Sequence, residues 1–532
     1  RGTGHRGRGR TAALRARFRA NGRRVVIKAR VVRHKGTRFR AAPLARHMAY
    51  LKRDGVTRDG REAGLFDARG DQADGDAFAA RCEDDRHHFR FIVSPEDAGE
   101  MADLRAFTRE LMDDAAKDLD TELDWVAVDH WNTDNPHVHV LLRGKASDGS
   151  DLVIDRDYIR EGIRARAEER ATIELGVRSE QDIRTALERE VEADHWTSLD
   201  RRLQRLGDDA AGVVDLRPSA SDPDPALRRL MVGRAAKLER LGLADRISPA
   251  GWMLKPDIEV TLRDLGMRTD IIKTMHRALA DHAFAPDPST FALHHELPPE
   301  PVIGRLVDRG LHDELAGQAY AIIDGVDGRS HYLRFDDIDL TGDARPGAIV
   351  ELRGWTDRRG VPQSSLSVRS DLTLAEQVAA PGATWLDRQL IASDPVAGTA
   401  GFGREVRDAL EARTEHLIGE GLARRHGERV LFAKGMIETL RTRDIEDAAA
   451  RLTARTGLPY RVSAAGDHVS GVFRERVTLA SGRFAMIDDG LGFQLVPWRP
   501  ALDQHLGRQV TGVLSPGGGV DWSLGRSRGL GR

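Results

Sequence analysis

His137 and His139 are the residues whose type and spacing most directly predict chemistry in this chain. They alternate with Val138 and Val140, and because side chains alternate between faces along a strand, the two imidazoles project to one side. His130 ends the preceding apolar run, from which it could supply a third nitrogen across a hairpin. Three neutral imidazoles that leave coordination positions open are typical of a catalytic site for a divalent metal ion.

Other interpretations of these histidines are open. A His-x-His pair can also decorate an exposed strand face without binding anything. A histidine-triad nucleotide hydrolase would need a histidine where Leu141 stands, and a zinc metalloprotease helix would need a His-Glu-x-x-His pattern that the sequence lacks. The histidines therefore favour a metal site of a different class.

The chain contains five tyrosines whose phenols could act as nucleophiles, Tyr50, Tyr158, Tyr320, Tyr332 and Tyr460. Spacing favours Tyr50, which lies about 125° from the centre of an apolar helical stripe and is therefore predicted to leave the core. That stripe consists of Leu44, Met48 and Leu51. The neighbours of the phenol on the helix are Arg46, His47 and Arg53. A phenol on a basic face suits attack on a phosphodiester, although a half-exposed tyrosine without a catalytic role is the simpler alternative.

Four strands and two helices are predicted to position these residues. The strands comprise residues 24–32, 89–93, 124–130 and 137–142. One helix begins at Pro43, and a second is predicted from the cap Ser94 to about Leu119. The Asp/Asn-rich segment 132–136 joins the last two strands as a hairpin. This order predicts an α+β fold in which helices cover one face of a mainly antiparallel sheet.

The first domain is predicted to span 23–215. The sequence after it predicts an internal repeat of two similar units. The segment Ala319–Gly325 is echoed by Arg483–Asp489, and each lies in a β-rich stretch that follows a helical one. We predict two units, each a winged-helix-like segment followed by a small β-barrel-like module. Their boundaries are 226–285, 303–370, 396–450 and 451–525.

The distribution of charge predicts contact with a polyanion. Residues 1–53 contain 18 Lys and Arg and no Asp or Glu, whereas the whole chain has a net charge of -2. The first 22 residues are predicted to form a basic disordered arm, and the alternative is a solvated tail. A single cysteine, Cys82, excludes a disulfide framework, and no run approaches the roughly 18 apolar residues of a membrane span. We therefore expect a cytoplasmic protein without membrane insertion.

The histidine pattern resembles motif III of conjugative relaxases, the mobilisation nucleases with a His-hydrophobe-His metal site. The closest resemblance is to the P-type group that includes the plant-tumour T-DNA border endonuclease. It covers residues 24–190 and rests on three further segments, Tyr50–Gly60, Arg86–Asp97 and Asp151–Ile159. The remainder is similar to the long uncharacterised C-terminal region of one relaxase subfamily.

This resemblance implies an HUH-type relaxase domain that nicks one strand at the transfer origin of a plasmid or mobile element. It implies Tyr50 as the nucleophile, a 5′-phosphotyrosyl intermediate, and Mg²⁺ or Mn²⁺ bound by His130, His137 and His139. Many relatives carry Asp where this chain has Asn132, so another acid is expected to orient a metal-bound histidine. The candidates are Asp85, Asp129 and Asp134.

The partners implied are single-stranded DNA at the origin, relaxosome accessory proteins and a type IV coupling protein, with export of the protein alongside the transferred strand. Candidate DNA contacts are Arg46, Lys52, Arg53 and Trp131. Residues from about 226 onward are expected to be dispensable for cleaving a short oligonucleotide. A rolling-circle replication initiator would instead place its tyrosine after the histidine pair, at Tyr158. A non-catalytic DNA-binding or pilot protein is the third alternative.

Overall fold

The structure is a computed structural model in which two compact units are distinguished. The first comprises Arg1–Ile271 and Asp313–Gly317, and the second comprises Ile272–His312 and Gln318–Arg532. The residues that the structure describes are 22–34, 42–54, 57–61, 63–131, 135–210, 212–219, 223–280, 287–357, 360–393, 398–516 and 519–523. The predicted basic arm at 1–22 lies outside them, except for its last residue.

A four-stranded antiparallel sheet with the order β1-β2-β4-β3 forms the centre of the first unit. Its strands are β1 (Val25–Arg33), β2 (His87–Pro95), β3 (Trp125–His130) and β4 (His137–Arg143). Alternation sends Phe89, Phe91 and Val93 of β2 into the core, at 3%, 3% and 1% exposure. The predicted α+β class is confirmed for this unit, and the strand positions agree with those read from the sequence to within a few residues.

Four helices contact this sheet, the last two on its apolar face and the first two at β3. They are α1 (Ala42–Asp54), α2 (Gly75–Arg81), α3 (Leu104–Leu119) and α4 (Ile163–Leu175). The predicted helix start at Ser94 is wrong, because β2 continues to Pro95 and Glu96 still donates its backbone N–H to Arg24. Helix α3 begins only after Asp103, whose carboxylate caps two backbone N–H groups.

A helical segment with a three-stranded sheet follows within the first unit. It consists of α5 (Glu180–Val191), α6 (Ser198–Asp208), β5 (Val213–Asp215), α7 (Pro225–Arg240), β6 (Ala244–Ser248) and β7 (Gly251–Leu254). The hydrophobic core of this segment continues across the predicted domain boundary between residues 215 and 226, since Leu203, Val214 and Trp252 are all fully buried in one cluster. A fragment ending near residue 220 would therefore split a hydrophobic core.

The remaining elements contribute mainly to the second unit. The helices are α8 (Ile258–Leu279), which begins in the first unit, α9 (Leu374–Val378), α10 (Trp385–Leu390), α11 (Gly401–Gly419) and α12 (Met436–Thr456). The strands of the larger sheet are β8 (Phe291–Leu293), β9 (Ile303–Asp313), β10 (Gln318–Gly325), β11 (Ser330–Phe335), β12 (Ile349–Thr356) and β13 (Pro362–Ser370). Those that follow are β14 (Ala423–His426), β15 (Arg429–Phe432), β16 (His468–Leu479), β17 (Gly482–Asp488), β18 (Phe493–Pro497), β19 (Gln509–Leu514) and β20 (Val520–Trp522).

The predicted internal repeat is seen in the strand orders. Strands β13-β12-β9-β10-β11 are ordered as β20-β19-β16-β17-β18, and β8 extends the first of these sheets. The barrel-like form predicted for these modules is not found, because none of the sheets formed by the described residues closes on itself.

A buried ion pair occurs at equivalent places in the two helical segments. Arg234 pairs with Asp200, and Arg413 pairs with Asp387, with all four side chains 0% exposed. Each aspartate also completes a capping box, with Thr197 in the first copy and Thr384 in the second. Each arginine further donates to three backbone carbonyls. In the first copy they belong to Val191, Ala193 and His195, and in the second to Val378, Ala380 and Gly382. The three carbonyl groups, the threonine and the aspartate have the same spacing along the chain in both copies, which supports duplication of one helical segment.

Arg413→Ala should lower the free energy of unfolding by about 3–5 kcal/mol, since removing one partner leaves the Asp387 carboxylate buried without its cation. The matched control is Arg424→Ala on β14, where the side chain is exposed. The difference is measured by chemical denaturation followed by circular dichroism. Equal midpoints for the two variants would contradict the assigned role of the pair.

Candidate metal centre

The three predicted histidines are brought together by the register of the β3-β4 hairpin. His130 lies directly opposite His137, and His139 lies one alternation further along the same face of β4. The Nε2 atoms of His137 and His139 are 3.1 Å apart, and the ring centroids of His130 and His139 are separated by 4.5 Å. The prediction that the histidines converge is therefore confirmed.

The outward ring nitrogens of two histidines are held by backbone carbonyls. Nε2 of His130 lies 2.9 Å from the Leu51 carbonyl oxygen, and Nδ1 of His137 lies 2.9 Å from that of Asn135. A carbonyl can only accept, so each of these nitrogens carries the proton and donates. In the neutral rings the opposite nitrogens then face the cluster with lone pairs, as metal ligation requires.

Glu314 completes the cluster and was not identified from the sequence. It lies in the turn between β9 and β10, and this turn, Asp313–Gly317, groups with the first compact unit. Its Oε2 is 3.1 Å from Nε2 of His139 and 3.4 Å from Nε2 of His137, and its Oε1 is 4.0 Å from Nδ1 of His130. Each of the four residues has one potential ligand atom within 4.8 Å of those of the other three. These residues are His130, His137, His139 and Glu314.

The spacing of these atoms fits a divalent ion. Metal–ligand bonds of about 2.0–2.2 Å place neighbouring ligand atoms about 3.0 Å apart in an octahedron and about 3.4 Å apart in a tetrahedron. The contacts of 3.1, 3.1 and 3.4 Å among His137, His139 and Glu314 lie in this range. Three imidazoles and one carboxylate are a donor set suited to a transition-metal ion.

Burial and mutual charge set the ionisation of the cluster. Desolvation lowers the pKa of His130 to about 4, with a further contribution from the neighbouring His139, so this imidazole is neutral at pH 7. Burial favours the neutral form of Glu314, but the charge of His139 and hydrogen bonds from His137 and His139 outweigh it and hold the pKa of the carboxyl well below its usual range. Burial likewise opposes protonation of His137, but the contact with Glu314 raises its pKa. The anionic carboxylate makes the cluster attractive to a cation.

The acids expected to orient the histidines have other partners. Asp129 accepts from Arg105 through Oδ1 and from Trp131 through Oδ2, both at 2.9 Å. Asp85 is buried and receives two hydrogen bonds from Arg143 at the far end of β4. The expected roles of Asp85 and Asp129 are therefore not supported, and backbone carbonyls orient His130 and His137 instead. Asp134 lies outside the described residues.

Tyr50 lies on the helix that contacts the cluster. The residue after it, Leu51, supplies the carbonyl that holds His130. The prediction that Tyr50 leaves the core is wrong, since the side chain is only 6% exposed. The apolar stripe is not the only covered face of α1, because His47 and Tyr50 are buried as well as Leu44, Met48 and Leu51.

Tyr158 lies in the hydrophobic core of the first unit. It is 0% exposed within the main core of the first unit, and its hydroxyl donates to Asp118 at 2.9 Å. Burial, reinforced by the charge of Asp118, raises the pKa of this phenol far above its ordinary value. The burial of Tyr158 argues against its use as the nucleophile, which the replication-initiator alternative requires.

The residues predicted to contact DNA divide into three groups. The side chains of Arg46 and Arg53 lie outside the described part of the structure. Lys52 is exposed but lines a cleft of about 560 Å³ that also contains Asp71, Asp74 and Asp76. Trp131 is half-buried, with its indole N–H donated to Asp129 and the Arg58 guanidinium 5.3 Å from its ring centroid. These two contacts hold the Trp131 ring against the protein at the end of β3.

Two further basic residues, Lys28 and Arg30, lie on the face of the sheet that carries the histidines. Lys28 of β1 is opposite Ile92, which is in turn opposite His139, so the three residues share one face. Arg30 is the next residue of β1 on this face, and both basic side chains are exposed. The charge of Lys28 also acts on the ionisation of His137.

Comparison with protein families gives a match over the C-terminal half of the chain. The family described as "Protein of unknown function (DUF3363)" matches residues 231–361 and 355–531, which together exceed half of the sequence. The chain belongs to the DUF3363 family. A search of curated proteins and a search of solved structures found no match.

The DUF3363 segments and the candidate metal centre share one residue. Glu314 falls within the first matched segment, whereas the three histidines precede both segments. Among the helices formed by the described residues, none has the length and apolar character needed to cross a bilayer.

Proposed function

We propose that this DUF3363 protein is a metal-dependent DNA relaxase, which nicks one DNA strand and retains it as a tyrosyl ester. The observation that carries the proposal is the convergence of His130, His137 and His139 beside the helix that bears Tyr50. The motif resemblance over residues 24–190 supplies the reaction class, and the cluster is consistent with it.

The proposed reaction is an in-line transesterification at phosphorus. The Tyr50 oxygen forms a bond to phosphorus as the bond from phosphorus to the 3′ oxygen breaks. The proton lost by the phenol is balanced by the proton that the departing 3′ oxygen takes up. The products are a 5′-phosphotyrosyl link and a free 3′-OH, and attack by that hydroxyl in reverse rejoins the strand without ATP.

The side chains divide the work of this step. A bound divalent ion would withdraw charge from the non-bridging phosphate oxygens. His130, His137 and His139 would hold that ion, with two of the rings fixed by carbonyl groups. Tyr50 is buried, so we expect DNA binding to move the residues that pack against its side chain before the phenol can reach phosphorus.

A non-catalytic DNA-binding protein is the alternative that an observation favours. The burial of Tyr50 and the repeated winged-helix-like segments would both suit such a role. The relaxosome and coupling-protein partners, and export with the strand, belong to the relaxase proposal alone.

A nicking assay separates the two functions. The full chain is incubated with supercoiled plasmid carrying DNA from its own genetic element, in Mn²⁺, in Mg²⁺ and in EDTA. The relaxase proposal requires metal-dependent open circles whose 5′ end remains attached to protein after denaturation. Binding without nicking in either metal would support the non-catalytic alternative.

Lys28 and Arg30 are expected to contact the DNA backbone, because their exposed side chains lie on the face of the histidine cluster. Replacing both by Gln should weaken binding of a single-stranded oligonucleotide about equally for all sequences and reduce the salt slope by about 1.4. Fluorescence anisotropy at several salt concentrations measures both quantities. The control is Arg345→Gln with Arg353→Gln, two exposed residues outside both helical segments. An equal change in the salt slope of this control would show that the sheet face makes no special contribution to DNA binding.

A further inference from the structure

We infer that Glu314 is the fourth metal ligand and that the turn Asp313–Gly317 is built to present it, so that the DUF3363 region carries part of the metal centre. This inference rests on the proposed function for the identity of the reaction, but its evidence is the arrangement of the turn. The carboxylate approaches the histidines at distances expected between ligands of one ion.

The turn is held by its own hydrogen bonds. The Asp313 carboxylate accepts from the backbone N–H groups of Leu315 and Ala316 at 3.0 and 2.8 Å, and Gly317 donates to the Asp313 carbonyl at 2.7 Å. Gly317 has φ +77°, a conformation that glycine adopts without strain. These contacts fix the backbone on both sides of Glu314.

Arg90 holds the turn against the sheet. Its Nη1 donates to the Leu315 carbonyl at 3.3 Å, and its Nε donates to Nε2 of His88 at 3.1 Å. Arg90 is two residues from Ile92, the partner of His139, and projects to the same face of β2. A Cβ added to Gly317 would lie 3.3 Å from Nη1 of Arg90, which shows how closely the two segments approach. We assign Arg90 as a positioning residue.

The fourth ligand bears on which ion is bound. Mg²⁺ prefers an all-oxygen shell and retains several waters, whereas imidazole nitrogens suit transition-metal ions. A set of three imidazoles and one carboxylate therefore favours Mn²⁺ over Mg²⁺. The carboxylate also supplies the one negative charge among the four ligands.

The test is a titration of the full chain with Mn²⁺ at pH 7.5 without DNA. Calorimetry and electron paramagnetic resonance monitor the binding. Glu314→Gln keeps the shape of the side chain but removes its charge, and we expect the Kd for Mn²⁺ to rise about tenfold or more. Glu300→Gln, an exposed carboxylate in the same region, is the control and should leave the Kd unchanged. Mg²⁺ should compete weakly with Mn²⁺ in the parent protein.

A double-mutant cycle tests the role of Arg90. Arg90→Gln should also weaken Mn²⁺ binding, whereas the double variant Arg90→Gln/Glu314→Gln should bind no more weakly than Glu314→Gln alone. A purely structural role for Arg90 would give additive losses and would overturn its assignment. Melting curves of the three variants confirm that the chain is folded.

The outcomes separate this inference from the proposed function. Unchanged Mn²⁺ affinity in Glu314→Gln overturns the fourth ligand, and if nicking then rises, Glu314 is an obstruction in the site. If Glu314→Gln binds Mn²⁺ more weakly but the parent protein never nicks DNA, Glu314 is supported as a ligand and the relaxase proposal is refuted. A parent protein that binds no Mn²⁺ overturns the inference, and nicking in Mg²⁺ alone would still leave the proposed reaction standing.

Discussion

Tyr50→Phe should abolish both nicking and the covalent protein–DNA adduct, while metal binding is retained. Phenylalanine keeps the ring that packs in the first unit, where Tyr50 is 6% exposed, and removes only the oxygen that would attack phosphorus. We expect the cleavage rate to fall by about four orders of magnitude or more, as when other catalytic nucleophiles are removed. Loss of the hydroxyl should cost about 1 kcal/mol of stability.

Tyr158→Phe is the matched control for this variant. Its hydroxyl donates to the buried Asp118, so the change should lower the melting temperature but leave nicking intact. Mass spectrometry of the trapped complex locates the nucleotide. A nucleotide on Tyr158 would refute the assignment and favour the initiator class, and cutting by Tyr50→Phe without an adduct would indicate a water nucleophile.

The sheet and the histidine cluster were predictable because they follow from local rules. Alternation along β4 places His137 and His139 on one face, and a short hairpin must return His130 opposite His137. The internal repeat was visible for a similar reason, since equivalent strands retained similar apolar segments. What these patterns determine is the order of strands and the face on which each side chain lies.

Glu314 could not be found in this way, because its approach depends on tertiary structure. It is distant in sequence from the histidines, and nothing in its own turn distinguishes it from other surface acids. The burial of Tyr50 was missed for a related reason. Helical periodicity identifies the most apolar stripe of α1, but whether a second face is also covered depends on what packs there.

The first domain boundary illustrates the limit of composition as a guide. The Pro/Asp/Ser segment near residue 220 has the composition of a linker, yet Val214 before it and Trp252 after it share one buried cluster. A loop within a core and a linker between cores can have the same composition. The expectation that residues beyond 226 are dispensable is weakened on two counts, since truncation would divide this core and remove Glu314.

His137→Ala should remove Mn²⁺ binding and metal-dependent nicking with little loss of affinity for single-stranded DNA. The ring supplies one of the converging nitrogens, 3.1 Å from that of His139, and loss of one ligand should weaken metal binding by about 100-fold or more. Oligonucleotide binding should persist because the exposed Lys28 and Arg30 are unchanged.

The matched control is His295→Ala, since His295 is exposed and lies outside the cluster. His130→Ala then tests the third nitrogen by itself. Its ring is 4% exposed and its Nε2 is committed to the Leu51 carbonyl, so only Nδ1 can reach the ion. Loss of Mn²⁺ binding in calorimetry would place it in the ligand set. Full affinity and full nicking in His130→Ala would leave His137, His139 and Glu314 as the ligands, and His130 would then act only by joining β3 to the helix that carries Tyr50.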